Sequence, residues 1–494
     1  MQDLEILKLM ENSKSLALNF PFCTIEPSVG VMTLADEVEW NHSASRDRWL
    51  RPARNIVSVS CYLLKLHIKL KMRSMRAYGD EFVVVSVGEQ PEVDLTEITI
   101  NCPDKVGLGC DIARIVFEFG VSITRGDLVT DGRWCFVALW VIPRKSMLPM
   151  RWTLMKQRLE EACPSNLPSL LPLPSPPVSL SQRILLLQVS SIDRTGLLND
   201  VSQKLWELEF TIHKVKVSTT PEEKSINFFF ISDSRNKLPW RKRGDEVVQQ
   251  VKELLGTNCS CCDIQQASQE LRGLEILPPP AWLTMDLVYD EPPTFEKRRS
   301  DSIGIQNVSS ATIEVKDDTI NSPLHTLLQV TCKRRKGLLY DTLRCVKDLK
   351  LQVAHMRIAS LEDGNSEISV FFLDCKGRKV TDQASKDNIL YSVREAVENP
   401  LRIKIITRGV DTELFVSTPI ENCGRGRPRV VYDVTLALKL LDVGIFQADI
   451  GRHEVDNHKW EVYRFLLSDR EDFNLTCTKN RNLIIERVQD MLLG

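Results

Sequence analysis

The sequence predicts an α+β protein of four tandem βαββαβ modules, preceded by an extension outside the repeat. Three observations carry this expectation. Two loops of like sequence, PDKVGLGCD at 103–111 and IDRTGLLND at 192–200, lie at one offset: Gly107 to Gly196 and Asp104 to Asp193 both span 89 residues. Apolar residues at helical spacing follow each loop, and two β-rich runs follow the first helix. Aspartate also stands four positions after the loop anchor in every copy, at Asp111, Asp200, Asp341 and Asp433. An acidic residue there is favoured by the positive end of a helix dipole, which is the main reading of these four; direct ligand contact is the alternative.

In the first copy, residues 96–102 (TEITINC) read as a strand. Leu108, Ile112, Ile115, Val116 and Phe119 then share one helical face, and Gly120 ends the helix. Runs 121–129 and 134–142 read as strands joined by the Asp131-Gly132 turn, and a second helix is expected around 152–161. The second copy repeats the order, with a strand at 184–189 and a helix through Leu197, Val201, Leu205 and Leu208. The third starts at Leu324, with Gly337, Leu338, Val346 and Leu349 in equivalent places. The fourth starts near Glu413, and its helix carries Val430, Val434, Ala437, Leu438 and Leu441.

The resulting division is an extension at 1–94, expected to be poorly ordered, and modules at 95–163, 183–258, 323–408 and 409–494. A Pro/Ser-rich linker (164–182) separates the first two modules, and an irregular one (259–322) follows the second. Modules 3 and 4 have almost no spacer and are expected to form one body. Residues 1–74 match no repeat; an upstream extension before Met72 or Met75 is the alternative to disorder. The run Lys297-Arg298-Arg299-Ser300 reads as solvated linker, with a kinase site or part of a nuclear signal as alternatives.

Composition narrows the function classes. With 64 basic and 66 acidic residues the net charge is -2, so no basic excess points to nucleic acid or to an anionic membrane. No run reaches the roughly 18 apolar residues of a membrane-crossing helix, and Glu5, Lys8 and Glu11 interrupt the first apolar stretch as no secretory signal would. The 14 cysteines are scattered, and Cys102, Cys135, Cys332 and Cys345 lie in apolar runs. Reduced core thiols in the cytoplasm, and also the nucleus, are therefore expected. The cluster Cys259, Cys261 and Cys262 has no second CxxC or HxxxH pair nearby, which argues against a metal site.

The segments CPDKVGLGCD and IDRTGLLND resemble the D-[KR]-x-G-L loop of ACT domains, small-molecule-sensing modules attached to many amino-acid metabolic enzymes. A chain of four such modules without a catalytic domain resembles the plant ACT-domain-repeat proteins, over roughly residues 96–493. The resemblance implies a ferredoxin-like fold, modules paired side by side within a chain or between two chains, and an amino acid held at the seam. It implies contacts from Asp104, Gly107, Leu108 and Asp127 in the first module and Asp193, Gly196, Leu197 and His213 in the second, with Gly337 and Leu338 in the third. Thr124 and Lys214 would help to close the site. Physical chemistry agrees with that location: a glycine lets backbone approach a ligand, and a helix start suits a carboxylate. In the bland alternative the glycines serve only the turn and Asp104 and Asp193 cap the helix. The later copies depart from the pattern, since Arg334 replaces the loop aspartate and Arg429 replaces the anchor glycine. Repeat four is then a structural partner for repeat three.

Other chemistries find less support. Arg425-Gly426-Arg427-Pro428-Arg429 matches the core of an AT-hook, but it falls where the repeat demands a strand-to-helix loop, so nucleic acid is an unfavoured partner. Nitrogen-sensing uridylyltransferases also carry ACT modules, yet their Gly-Ser and D-x-D elements are missing, as is a His-Asp dipeptide. Gly107-Leu-Gly109 lacks the third glycine of a dinucleotide loop. The expectation is a non-enzyme without a cofactor: an amino-acid sensor or adaptor acting on a partner protein. A ligand-independent scaffold is the competing class.

Overall fold

The computed structural model describes residues 82–87, 95–143, 150–164, 183–233, 240–267, 303–304, 311–317, 324–409, 411–455, 458–468 and 473–494. The expectations for residues 1–74 and for the basic run at 297–300 lie outside these, as does the Pro/Ser-rich linker beyond residue 164.

Module 1 comprises β1 (Val83–Val87), β2 (Thr96–Pro103), α1 (Leu108–Glu118), β3 (Val121–Thr130), β4 (Trp134–Pro143) and α2 (Trp152–Ala162). Module 2 comprises β5 (Leu185–Ile192), α3 (Leu197–Glu207), β6 (Phe210–Thr219), β7 (Lys224–Asp233), α4 (Trp240–Leu255) and β8 (Cys259–Gln266). After β9 (Ile303–Gly304), module 3 comprises β10 (Thr312–Lys316), β11 (Thr326–Lys333), α5 (Leu338–Asp348), β12 (Gln352–Ser360), β13 (Asn365–Leu373) and α6 (Gln383–Glu398). Module 4 comprises β14 (Arg402–Arg408), β15 (Asp411–Pro419), α7 (Val430–Leu440), β16 (Gly444–Val455), β17 (His458–Ser468) and α8 (Thr478–Leu493). The repeated α+β units expected from the sequence are present.

Alternation drives the layering. On β4, Cys135, Val137, Leu139 and Val141 enter the hydrophobic core, as period-two patterning demands of a strand with one face under helices. On α1, Leu108, Ile112, Ile115 and Val116 meet them at helical spacing.

The modules form two antiparallel sheets, one in the order β1-β2-β4-β3-β12-β13-β11-β10 and one in the order β8-β5-β7-β6-β16-β17-β15-β14-β9. Module 1 thus pairs with module 3, and module 2 with module 4, each time through the second strand of the repeat. Across the first seam Arg357 faces Asp127 and Ile358 faces Gly126; across the second, Ala448 faces Val217. Each pair shares one core. Val116 of module 1 and Leu343 of module 3 lie in a single cluster, and Val201 of module 2 and Val434 of module 4 in another. Repeat four touches repeat three through ion pairs such as Lys336–Asp433, but it is not its sheet partner: the sheet pairing skips a neighbour. The reason is geometric. The second strands of the modules meet edge to edge at the centre of each sheet, β3 against β12 and β6 against β16, so modules 3 and 4 fall in different sheets.

The outer edges are also filled from unexpected directions. The strand beside β2, β11 and β15 is β1, β10 and β14, each running antiparallel and each preceding its neighbour in the chain. Only in module 2 does the edge strand, β8, follow the second helix. Strands thus lie in the stretches assigned to the extension (before residue 95) and to the irregular linker (259–322).

Candidate functional site

Three helices begin at a glycine in the left-handed region: Gly107 (φ 79°), Gly196 (φ 79°) and Gly337 (φ 76°). In module 4, Arg429 adopts the same conformation (φ 66°), so the departure from glycine leaves the turn intact at the expense of backbone strain. No side chain caps these four helices. The capping alternative for Asp104 and Asp193 is thereby corrected. Instead Asp104 accepts a hydrogen bond from Thr130 Oγ1 (2.5 Å), and Asp193 accepts one from Thr219 Oγ1 (3.0 Å), tying each loop to the end of the second strand.

Each turn faces the other module of its pair. A Cβ built on Gly107 would lie 2.8 Å from Lys347 Cδ of module 3, and one on Gly196 would lie 2.7 Å from Lys439 Cδ of module 4. Lys347 pairs with Asp111 (3.0 Å), and Lys439 with Asp200 (2.6 Å). The aspartates of the repeat therefore anchor the partner module as well as sitting at helix starts. Leu108 and Leu197 are buried at those starts, in the core rather than at an open site.

Of the other candidates, Asp127 is buried on β3 at the first seam, with Arg357 across from it at 3.9 Å. Burial pushes its carboxyl upward, against the pull of Arg357 and Arg125. His213 contacts Ser232 Oγ (2.7 Å). Burial, with Arg452 and Arg114 nearby, pushes its imidazole down to about 4, so it is neutral near pH 7.

Gly337 and Leu338 line a cavity of about 260 Å³ at the seam of modules 1 and 3. Its walls are the Arg334–Tyr340 turn on one side and Val121, Ser122 and Ile123 of β3 with Phe117 of α1 on the other. A glycine turn thus meets the partner's second strand across an open space. Beneath the turn two guanidiniums share one carboxylate: Arg335 Nη1 binds Asp341 Oδ2 (2.6 Å), and Arg427 Nη1 binds the other oxygen. The side chains of all three are at most 4% exposed. Arg427 also lies over the Phe117 ring (4.9 Å), and its Nη2 and Nε have no hydrogen-bond partner.

Arg427 comes from module 4, whose strand-to-helix loop crosses to the other sheet. Glu421 there accepts from Arg114 (2.9 Å), Tyr340 Oη (3.0 Å), Lys347 (3.3 Å) and Arg425 (2.9 Å). Burial would raise its carboxyl, but Arg114, Arg425 and Lys347 outweigh that and hold it down to about 2. Asp111 is likewise raised by burial yet held down to about 2 by Arg425, Lys347 and Lys105. Arg429 donates to the Glu118 carbonyl (3.0 Å) and pairs with Asp433 (3.3 Å), which also binds Lys336 of module 3. Arg425, Arg427 and Arg429 are therefore each paired with acidic side chains of the protein, Arg427 from a buried position, Arg429 from a largely buried one and Arg425 from a partly exposed one. The AT-hook alternative is corrected, because an Arg-Gly-Arg-Pro segment must lie free and extended to enter a minor groove.

Repeated ferredoxin-like units that pair by their second strands, with a glycine turn and a cavity at the seam, define a tandem ACT-type regulatory-module protein. Residues 86–164 match the family described as ACT domain-containing protein ACR10, N-terminal. Residues 314–411 match the ACR9-like, ACT-like domain, and residues 412–494 match ACT domain-containing protein ACR9, C-terminal. ACT domain-containing protein ACR9 of Arabidopsis thaliana is 40% identical over 423 residues, covering 85% of this chain and all of the relative. ACT domain-containing protein ACR10 of the same plant is 39% identical over 427 residues, with the same coverage. The chain belongs to this ACR9/ACR10 family of ACT-repeat proteins. Among solved structures, aspartate kinase from Synechocystis is 12% identical, covering 83% of this chain and 56% of that one at a TM-score of 0.15, a likeness that supports nothing further.

Proposed function

We propose that the chain is a non-catalytic sensor in which a free amino acid, bound at a module seam, changes the affinity for a partner protein. The relatives are named as ACT-domain repeat proteins and not as enzymes. The observation that carries the reading is the cavity of about 260 Å³ between the Gly337 turn and β3, with a buried Arg335–Asp341–Arg427 group beneath it. Two guanidiniums on one carboxylate favour a further anionic oxygen nearby, and an α-carboxylate supplies one. Gly337 and Leu338 offer the helix start for it, and Ser122 lies on the opposite wall. All three glycine turns are closely packed on the Cβ side, Gly107 by Lys347, Gly196 by Lys439 and Gly337 by Arg427 and Phe117, and what distinguishes Gly337 is the cavity beside it. A ligand that prefers one seam geometry shifts the pairing equilibrium by its differential affinity, and a partner protein reads the result.

Those two lysine-filled turns also favour a second reading, a scaffold whose seams are closed by its own side chains. Thermal-shift screening of the whole protein against the twenty amino acids separates the two. Sensing predicts that one or a few amino acids raise the melting temperature in a saturable way, and that Gly337→Leu abolishes the effect. A flat response across all twenty defeats the sensor and leaves the scaffold.

A further inference from the structure

We infer that the chain has a second ligand site, distinct from the module seams, built to hold a nucleoside phosphate where modules 1, 2 and 4 meet. A cavity of about 590 Å³ lies there, bounded by α1 and α2 of module 1, by α3 and β6 of module 2, and by the 423–432 loop and helix start of module 4. Modules 1 and 2 share no sheet, so this space is not the seam between paired modules. It is more than twice the seam cavity and falls within the roughly 300–1,000 Å³ typical of cofactor-sized ligands.

The lining suits a phosphate and a planar ring. Seven basic side chains face five acidic ones around it, and the cations come from two modules. Arg114 and Arg158 belong to module 1, while Arg425, Arg429 and Arg452 belong to module 4. Guanidinium forks match phosphate oxygens in pairs. Glu118 is engaged by Arg114 and Arg158 at 3.4 Å each and Glu461 by Arg452 at 2.9 Å, while Arg114, Arg425 and Arg429 also pair with Glu421, Asp111 and Asp433. Arg158, with 20% of its side chain exposed, is the cation best placed to turn to an incoming anion. Trp206 and Tyr432 contribute aromatic rings near Arg429, whose guanidinium lies 5.9 Å and 4.8 Å from their centroids. Bases stack on such rings and on guanidinium planes. His213, neutral near pH 7, adds an imidazole able to exchange hydrogen bonds with ring or ribose groups.

A separate observation points to a missing occupant. Ser202 lines the cavity with only 2% exposure, and its hydroxyl has no hydrogen-bond partner. Buried polar groups are nearly always satisfied, so an orphaned hydroxyl on the wall favours a polar guest.

The test is isothermal titration of the full-length protein with ATP, AMP, adenosine and inorganic phosphate. ATP or AMP should bind saturably, and adenosine and phosphate should each bind at least tenfold more weakly. Arg158→Gln and Ser202→Leu, the second adding bulk without removing a bond, should each weaken the nucleotide at least tenfold while the melting temperature stays near wild type. Ser122→Leu, on the β3 wall of the seam cavity and outside this lining, should leave nucleotide binding unchanged, which separates this site from the amino-acid site. The inference is overturned if neither nucleotide binds saturably at millimolar concentration, or if both cavity variants bind as wild type does. Phosphate binding as tightly as AMP would overturn the nucleoside part.

Discussion

Replacing Asp341 by Asn should destabilise the 1–3 pair more than any other single polar exchange at the junction. Its carboxylate is 1% exposed and serves Arg335 and Arg427, whose side chains are 4% and 2% exposed. Removing one partner of a buried ion pair typically costs about 3–5 kcal/mol, because the remaining charge is stranded away from water. Here one carboxylate serves two guanidiniums, so the upper end, about 4–5 kcal/mol, is expected. Arg427→Met should behave differently. It removes one of two cations from an over-supplied carboxylate and leaves Asp341 with Arg335 at 2.6 Å. The lost contact with the Phe117 ring is worth about 1–2 kcal/mol, and the relieved desolvation is of similar size, so the net change should stay within about 1.5 kcal/mol. Urea unfolding followed by far-UV circular dichroism measures both variants, with hydrogen exchange in α5 as the local readout. The double variant Asp341→Asn/Arg427→Met should be more stable than Asp341→Asn alone. If Arg427→Met costs as much as Asp341→Asn, the two-on-one reading of this group is refuted.

Acid should unfold the protein in two stages. The folded His213 imidazole is held down to about 4 from an ordinary 6.5, so the unfolded chain binds more protons, and stability falls as pH drops from 6.5 towards 4. Asp111 and Glu421, held at about 2 against ordinary values of 3.8 and 4.5, stabilise fully above about pH 4.5, and that contribution fades as pH falls towards 2. His213→Gln should flatten the first stage alone in melting-temperature scans, and an unchanged profile would count against the burial argument. The fourth loop should not serve DNA: anisotropy titrations with an A/T-rich duplex should show no tight, salt-sensitive binding, and Arg425→Ala should not change the signal.

The sequence made the repeat legible because it is carried by local chemistry. Gly107, Gly196 and Gly337 each start a helix, and the apolar offsets after them fix the buried face. Even Arg429 was placed at the equivalent position by offset alone, and the backbone there obeys the offset over the residue type. Pairing was not legible, because edge-to-edge register depends on which free strands meet, and spacer length favoured the wrong neighbours. The lysines that close the seams left a faint signal: Lys347 and Lys439 both lie ten residues after their anchors, where modules 1 and 2 carry Phe117 and Trp206. That difference between the halves distinguishes the partners, but only once the pairs are known. Arg335, Glu421 and Tyr340 were missed for a plainer reason, since a buried polar cluster formed from distant loops has no period.

Skip pairing has a consequence for assembly. A chain divided between residues 267 and 303 yields one half with modules 1 and 2 and another with modules 3 and 4, neither of which holds a complete pair. The first half would expose the edges of β3 and β6, and the second those of β12 and β16, with the apolar helix faces beside them. Unpaired edges and uncovered apolar surface drive association, so each half alone should aggregate or be recovered in poor yield. Co-expressed, the halves should recover both sheets, because each missing edge is supplied by the other fragment, and Asp111–Lys347, Asp200–Lys439 and Arg114–Glu421 all re-form between them. Size-exclusion chromatography with light scattering should then show a one-to-one complex. Had modules paired with their sequence neighbours, each half would be a closed, soluble two-module unit with little tendency to bind the other. Two soluble, non-associating halves would therefore contradict the 1–3 and 2–4 pairing, and with it both cavities, whose walls come from both sides of the cut.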